Sequence, residues 1–264
     1  MTTGETVFFA VFALLFGLAI GSFLNVVIYR VPAGLSVVSP PSRCPSCEKQ
    51  ISARDNIPVL SWLLLRGRCR NCGAAISPRY MLVELLTGVL FVLMLLRFGL
   101  SAELPAYLAL TTSGVALAFI DLDTKRLPDK ITIPTFVAVL VLLLLPAWLD
   151  SAWDSYLRAV LGAVALGGVY FVVWFIRPDA MGFGDVKLAP TLGLALGWLS
   201  WGAVALGGFL GFLLGAIVGV ALMAASKAGR KTKVPFGPFM IAGALLTILV
   251  GQPVIDWYSG IAFG

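Results

Sequence analysis

Two short acidic stretches and two cysteine pairs are the residues of this chain whose types and spacing could do chemistry. The first stretch is Asp121-Leu-Asp123-Thr-Lys-Arg-Leu-Pro128-Asp129, at the end of an apolar run. The second is Met181-Gly182-Phe183-Gly184-Asp185-Val186-Lys187, a glycine-broken loop between two further apolar runs. A carboxylate at the mouth of a membrane helix is costly and is by default a candidate for function. An Asp at a helix start also has the plainer use of capping. Two carboxylates brought together share a proton, because like charges a few ångströms apart do not both ionise cheaply. The ionised partner then deprotonates a water while the protonated one polarises a peptide carbonyl. The alternative is an ion lattice, with Asp121 on Arg126 or Lys125 and Asp185 on Lys187, and spacing leaves both open. The chain has no histidine, which excludes Ser-His-Asp and Cys-His nucleophile systems and His-ligated metals.

Cys44-Pro-Ser-Cys47 and Cys69-Arg-Asn-Cys72 are two C-x2-C pairs separated by 21 residues. Two such pairs supply four thiolates in a tetrahedron, which suits Zn²⁺ in a closed, structural site. Disulfides are the rival, and a cytoplasmic location argues against them. Arg43, Arg54, Arg66, Arg68 and Arg70 around the pairs could meet anionic lipid headgroups or an acidic partner.

The elements that must position these groups are membrane helices. The 264-residue chain is 59% hydrophobic and 12% charged, against about 25% charged in ordinary globular domains. Continuously apolar runs at about 7–28, 80–99, 105–120, 131–149, 157–176, 187–199, 202–225 and 235–251 approach the roughly 20 residues needed to cross a bilayer. An all-α polytopic membrane protein of about eight spans is expected, not a β-barrel. Its parts are a first helix (1–29), a cytoplasmic cysteine module (30–79) and a seven-helix core (80–264). No basic residue precedes the first run, so it reads as a retained helix and not a signal peptide. The division of 187–225 rests on the Gly197–Gly202 turn, whose tryptophans suit a membrane interface.

With eight spans and both termini outside, 17 of the 19 basic residues fall on the inner side, leaving only Arg97 and Arg158 outside, as the positive-inside rule requires. The +6 net charge is therefore mainly topological, and nucleic acid is not expected as a partner. The same assignment puts both acidic stretches and the cysteines on the cytoplasmic side. Helix geometry sorts the carboxylates. Asp121 shares a face with Ala118, Gly114 and Thr111, and Asp185 with Ala189, Gly193 and Gly197, small-residue stripes that mark close helix contacts. Asp123 lies on a bulkier face and, like Asp129, is expected to be solvated or capping, with Pro128 in the first turn of the next helix.

Taken together, these stretches resemble the prepilin leader peptidases, membrane aspartic proteases of the GxGD type. Besides the two acidic stretches, the resemblance rests on Gly21-Ser22-Phe23-Leu24-Asn25-Val26-Val27-Ile28-Tyr29-Arg30, Asp55-Asn56-Ile57-Pro58-Val59-Leu60-Ser61-Trp62, Ile76-Ser77-Pro78-Arg79-Tyr80 with Val83-Glu84, and Pro235-Phe236-Gly237-Pro238-Phe239. It covers nearly the whole chain. It implies an enzyme of the bacterial inner membrane that cleaves the basic leader of type IV prepilins or type II secretion pseudopilins after a Gly on the cytoplasmic side. The same enzyme would then N-methylate the new terminus with S-adenosylmethionine. Carried over by position, the catalytic pair is Asp121 and Asp185, and Cys44, Cys47, Cys69 and Cys72 are the zinc tetrad. Met81 stands where a Pro often follows Arg-Tyr and Ala180 where a Gly often precedes the Met-Gly-Phe-Gly-Asp loop; both spare the carboxylates. No Gly-rich nucleotide-binding turn marks a methyl-donor site, and Glu84 is a candidate contributor whose alternative is an ordinary membrane-interface Glu. A peptidase without methyltransferase activity and a non-enzymatic assembly or transport protein, docking through its zinc module, are the competing expectations.

Overall fold

The computed structural model describes residues 3–179, 181–225 and 234–263, so Ala180 and the basic stretch 227–233 lie outside the described residues. Apart from two isolated β-bridges, all regular structure among the described residues is helical. The chain divides into two compact units, Met1–Leu100 and Ser101–Gly264.

The first unit contains α1 (Thr3–Arg30), a 3-10 turn (Ala53–Asp55), the short α2 (Leu60–Leu64) and α3 (Pro78–Phe98). Ser77 starts α3 by accepting the Arg79 N–H, with Pro78 at the first helical position, and Gly99 at φ +63° ends it, each in its preferred place. The helices α1 and α3 pack antiparallel. A Cβ at Gly17 would lie 2.8 Å from Gly88 Cα and one at Gly21 2.6 Å from Glu84 Cα, while Asn25 Nδ2 donates to the Tyr80 carbonyl at 3.0 Å. The Gly21 and Asn25 face of α1 therefore meets α3.

The second unit contains α4 (Leu104–Thr124), α5 (Asp129–Leu142), α6 (Leu144–Leu149), α7 (Trp153–Ile176), α8 (Phe183–Leu199), α9 (Trp201–Ala224), α10 (Gly237–Val250) and α11 (Gln252–Phe263). Its centre is α8, with 12 of its 17 residues buried. Its small residues let α7 approach to backbone contact: a Cβ at Gly197 would lie 2.9 Å from Ala159 Cα, and one at Gly193 would run into the Gly162 carbonyl. At the end of α8 away from Asp185, Arg158 donates to the carbonyls of Gly197, Trp198 and Leu199 at 2.8, 2.8 and 3.3 Å. These are the carbonyls a helix end leaves unpaired, which gives this arginine a structural task.

Among the described residues six helical segments can cross a membrane by length and composition: α1, α3, α4, the continuous α5–α6, α7 and α9. The pair α10 and α11, bent by 78°, makes a seventh if counted as one span. The remaining apolar run of the sequence is α8, 17 residues long with 12 of them buried. Ser200 separates it from α9 and caps α9 by accepting the Ala203 N–H. Of the two tryptophans assigned to a membrane interface, Trp201 is exposed, but Trp198 is buried and donates its indole N–H to Glu103 at 3.0 Å. Periodicity cannot show such a partner 95 residues away.

Candidate active site

Asp121 sits at the C-terminal end of α4 and is 4% exposed; Asp185 sits in the first turn of α8 and is 6% exposed. On the Asp121 face Thr111 and Gly114 are buried as well, whereas Asp123, about 200° round the helix, is exposed. Each carboxylate is held by a backbone N–H at the start of a helix. Asp121 Oδ2 accepts from Gly237 N at 3.0 Å, the first residue of α10. Asp185 Oδ2 accepts from Gly182 N at 3.1 Å, so the plain capping role exists in this loop. Amide donors of this kind, backed by a helix dipole, stabilise negative charge. The charge of Asp121 also bears on Asp185. The ion-lattice alternative does not form: Lys187 Nζ pairs with Asp129 at 2.8 Å, tying the two acidic stretches together through a different aspartate. Pro128, expected in the first turn of α5, stands one residue before it, at the N-cap position, and makes no capping hydrogen bond.

Leu127 is the packing residue between these parts. A Cβ on Gly184 would lie 3.1 Å from Leu127 Cβ, and one on Gly237 would lie 3.3 Å from both Leu127 Cδ atoms and 2.9 Å from Asp121 Oδ2. Gly237→Ala is therefore expected to push the Asp121 carboxylate off its position. A displacement of about 1 Å costs on the order of 10²-fold in rate, so turnover should fall by that order with unchanged membrane accumulation. A variant with wild-type turnover would show that this contact does not set the carboxylate. Tyr170 of α7 completes the surroundings, buried, stacked on Phe212 at 5.0 Å and sensing the Asp185 charge. Sequence reasoning missed Tyr170 and the Gly237 N–H, because both reach the site from helices other than the two that carry the aspartates.

In the first unit the four cysteine sulfurs all lie within 4.8 Å of one another, and Cys44 Sγ and Cys72 Sγ are 3.8 Å apart. A tetrahedral Zn²⁺ with bonds of about 2.3 Å spaces its sulfurs by about 3.8 Å, so the donor set fits that ion. The two knuckles are copies of one another. Glu48 N donates to Cys44 O as Gly73 N does to Cys69 O, and the bridges Arg43–Gln50 and Arg68–Ala75 close each turn. Glu48 and Gly73 take left-handed φ values of 57° and 72°. The repeated Arg-Cys-x-x-Cys, visible in the sequence, was the signal for this duplication and was not read as one. Backbone N–H groups of Cys47 and Ser46 bring the Cys44 thiol down to about 6. The Ala74 N–H lowers Cys72, but desolvation and the three neighbouring sulfurs outweigh it and push that thiol up to about 11. Arg70 clamps Asp55 at 2.7 Å and holds its carboxyl below the usual range, joining the second knuckle to the 3-10 turn.

Glu84 is not an ordinary interface glutamate. It is buried on α3 against α1, where Oε2 accepts the Val59 N–H at 2.7 Å and the Ser22 hydroxyl is a second donor. Val59 itself has φ +62° and ψ −52°, a conformation that costs a β-branched residue roughly 1–3 kcal/mol.

Two family profiles match the chain: the bacterial peptidase A24 N-terminal domain over residues 15–98 and the type IV leader peptidase family over residues 108–223. Among curated relatives, a protein of Myxococcus xanthus is 45% identical over 85% of this chain and 67% of its own length. One of Aeromonas salmonicida is 37% identical over 92% of this chain and 91% of its own length. One of Stutzerimonas stutzeri is 35% identical over 95% and 93%. All three are named prepilin leader peptidase/N-methyltransferase. No solved structure matches the chain. The two profiles meet near the division between the compact units, one holding the cysteine cluster and Glu84 and the other both buried aspartates, and on these matches the chain belongs to the type IV leader peptidase family.

Proposed function

We propose that the protein is a bacterial inner-membrane enzyme that removes the leader of a type IV prepilin or pseudopilin on the cytoplasmic side and N-methylates the new terminus. Asp121 and Asp185 are the catalytic pair. The observation that carries this reading is the pair itself: two buried carboxylates from different helices, each held by a helix-start N–H, with the charge of Asp121 bearing on Asp185. With one proton shared between them, the ionised aspartate takes a proton from water as the oxygen attacks the scissile carbonyl. The protonated one donates to the carbonyl oxygen, giving a neutral tetrahedral diol. Collapse passes a proton to the leaving nitrogen and breaks the C–N bond. The order of the two roles is open to assignment by kinetics.

The four cysteines hold one Zn²⁺ as a structural centre. S-adenosylmethionine supplies an electrophilic methyl group for the second step. Both termini lie outside and the basic loops inside, by the charge partition of the sequence.

The test is mass spectrometry of a prepilin-like substrate incubated with the purified enzyme, with and without S-adenosylmethionine. Loss of the leader in both reactions is expected, with one methyl group added to the mature chain only when the donor is present. Cleavage without methylation would leave a peptidase alone; neither activity would overturn the proposal.

A further inference from the structure

Among its described residues the first unit carries one buried carboxylate, for which peptide hydrolysis has no use. Glu84 lies in the apolar body of α3, with α1 close against its backbone at Gly21. Its two donors, the Val59 N–H and the Ser22 hydroxyl, are neutral. The groups facing it from α1 are Gly21 and Ser22, and from the turn before α2 it is Val59. None of these titrates, and among the described residues the partners found for it are the two neutral donors. An ionised carboxylate has about four acceptor positions, and a buried charge is normally paired. This one is a cation short. The left-handed Val59 is the second observation. Strain of this kind persists only where the surroundings impose it, and it gathers at ligand clamps. Here it aims an N–H at Glu84 from a turn that the Arg70–Asp55 pair ties to the cysteine module.

We propose that Glu84 binds the α-ammonium group of the freshly cut chain and accepts its proton for methyl transfer. The inference rests on the methyltransferase half of the proposed function. The ammonium gives one proton to the carboxylate, and the freed nitrogen lone pair attacks the methyl carbon of the sulfonium donor. The C–N bond forms as the C–S bond breaks, and the bonding pair stays on sulfur as a neutral thioether. The positive charge moves to the secondary ammonium of the product, and Glu84 returns its proton to solvent.

Anchoring Val59 needs only an acceptor, which a Gln amide oxygen supplies; accepting a proton needs the carboxylate. The test is therefore full-length Glu84→Gln, with zinc content, cleavage and methylation measured between pH 6 and 9. Cleavage and zinc are expected within about twofold of wild type. Methylation should fall about 100-fold at pH 6.5, and the deficit should narrow above pH 8, where solvent frees an α-amino group of ordinary pKa, about 7.7–8.0. Glu84→Asp, which keeps a carboxylate, should methylate slowly with the wild-type pH profile, and it decides the matter if the Gln variant does not accumulate. Wild-type methylation by Glu84→Gln, a deficit equal at every pH, or joint loss of cleavage and zinc would each overturn the inference. A wild-type enzyme that cleaves without methylating would instead remove the reading beneath it.

Discussion

Asn in place of Asp121 or Asp185 should reduce leader cleavage by at least about 10³-fold, with normal accumulation of the protein in the membrane. The separation of chemistry from folding follows from the hydrogen bonds. Asp121 needs an acceptor for the Gly237 N–H and Asp185 one for the Gly182 N–H, and an Asn amide oxygen supplies either. What Asn does not supply is a group that takes a proton from water or holds one for the carbonyl oxygen. The double variant should be no worse than either single one, because residues acting as a unit lose their shared effect together. Asp123→Asn, on the exposed side of α4, is the control and should cleave normally. Lys187→Ala opens an exposed ion pair and should cost little, since such pairs contribute about 0–1 kcal/mol. Near-normal cleavage by Asp121→Asn or Asp185→Asn would end the two-carboxylate reading.

Those two aspartates were legible because burial on a helix follows a period. Counting in steps of three and four from Asp121 reaches Ala118, Gly114 and Thr111; Gly114 and Thr111 are buried and Ala118 is half-buried, while Ile120 on the bulkier side is buried as well. The cysteines were legible because a metal tetrad leaves its spacing in the chain. What holds the aspartates was not legible. The Gly237 N–H is 116 residues from Asp121, and the Lys187–Asp129 pair spans 58. Spacing suggested Asp185 for Lys187 because the two are adjacent in sequence, and the fold brought Asp129 instead. Trp198 misled in the same way, since an indole beside a turn reads as interfacial until Glu103 arrives from another helix. Short-range periodicity reports which face is buried; it carries no information on which distant donor fills it.

Metal removal should unfold the cysteine module. Between residues 31 and 77 only Cys44, Ser61 and Gly67 are buried, far too little apolar burial to offset the ordering of that many residues. Two isolated β-bridges, a 3-10 turn and a five-residue helix do not supply the difference. A structural zinc would, since apparent binding energies are about 10–16 kcal/mol in small zinc domains. Purified protein should therefore carry about one zinc per chain, since four thiolates fill one tetrahedral site. Chelation, or Cys44→Ser, should open trypsin cleavage after the exposed Arg54, Arg66, Arg68 and Arg70. The α1–α3 pair should resist, because its packing through Gly17 and Gly21 owes nothing to the metal. Asp55 loses its partner once the second knuckle melts, so the turn carrying Val59 should loosen next, before either helix does. Metal-free protein with two disulfides, or a chelated module that still resists trypsin, would assign the four cysteines another role.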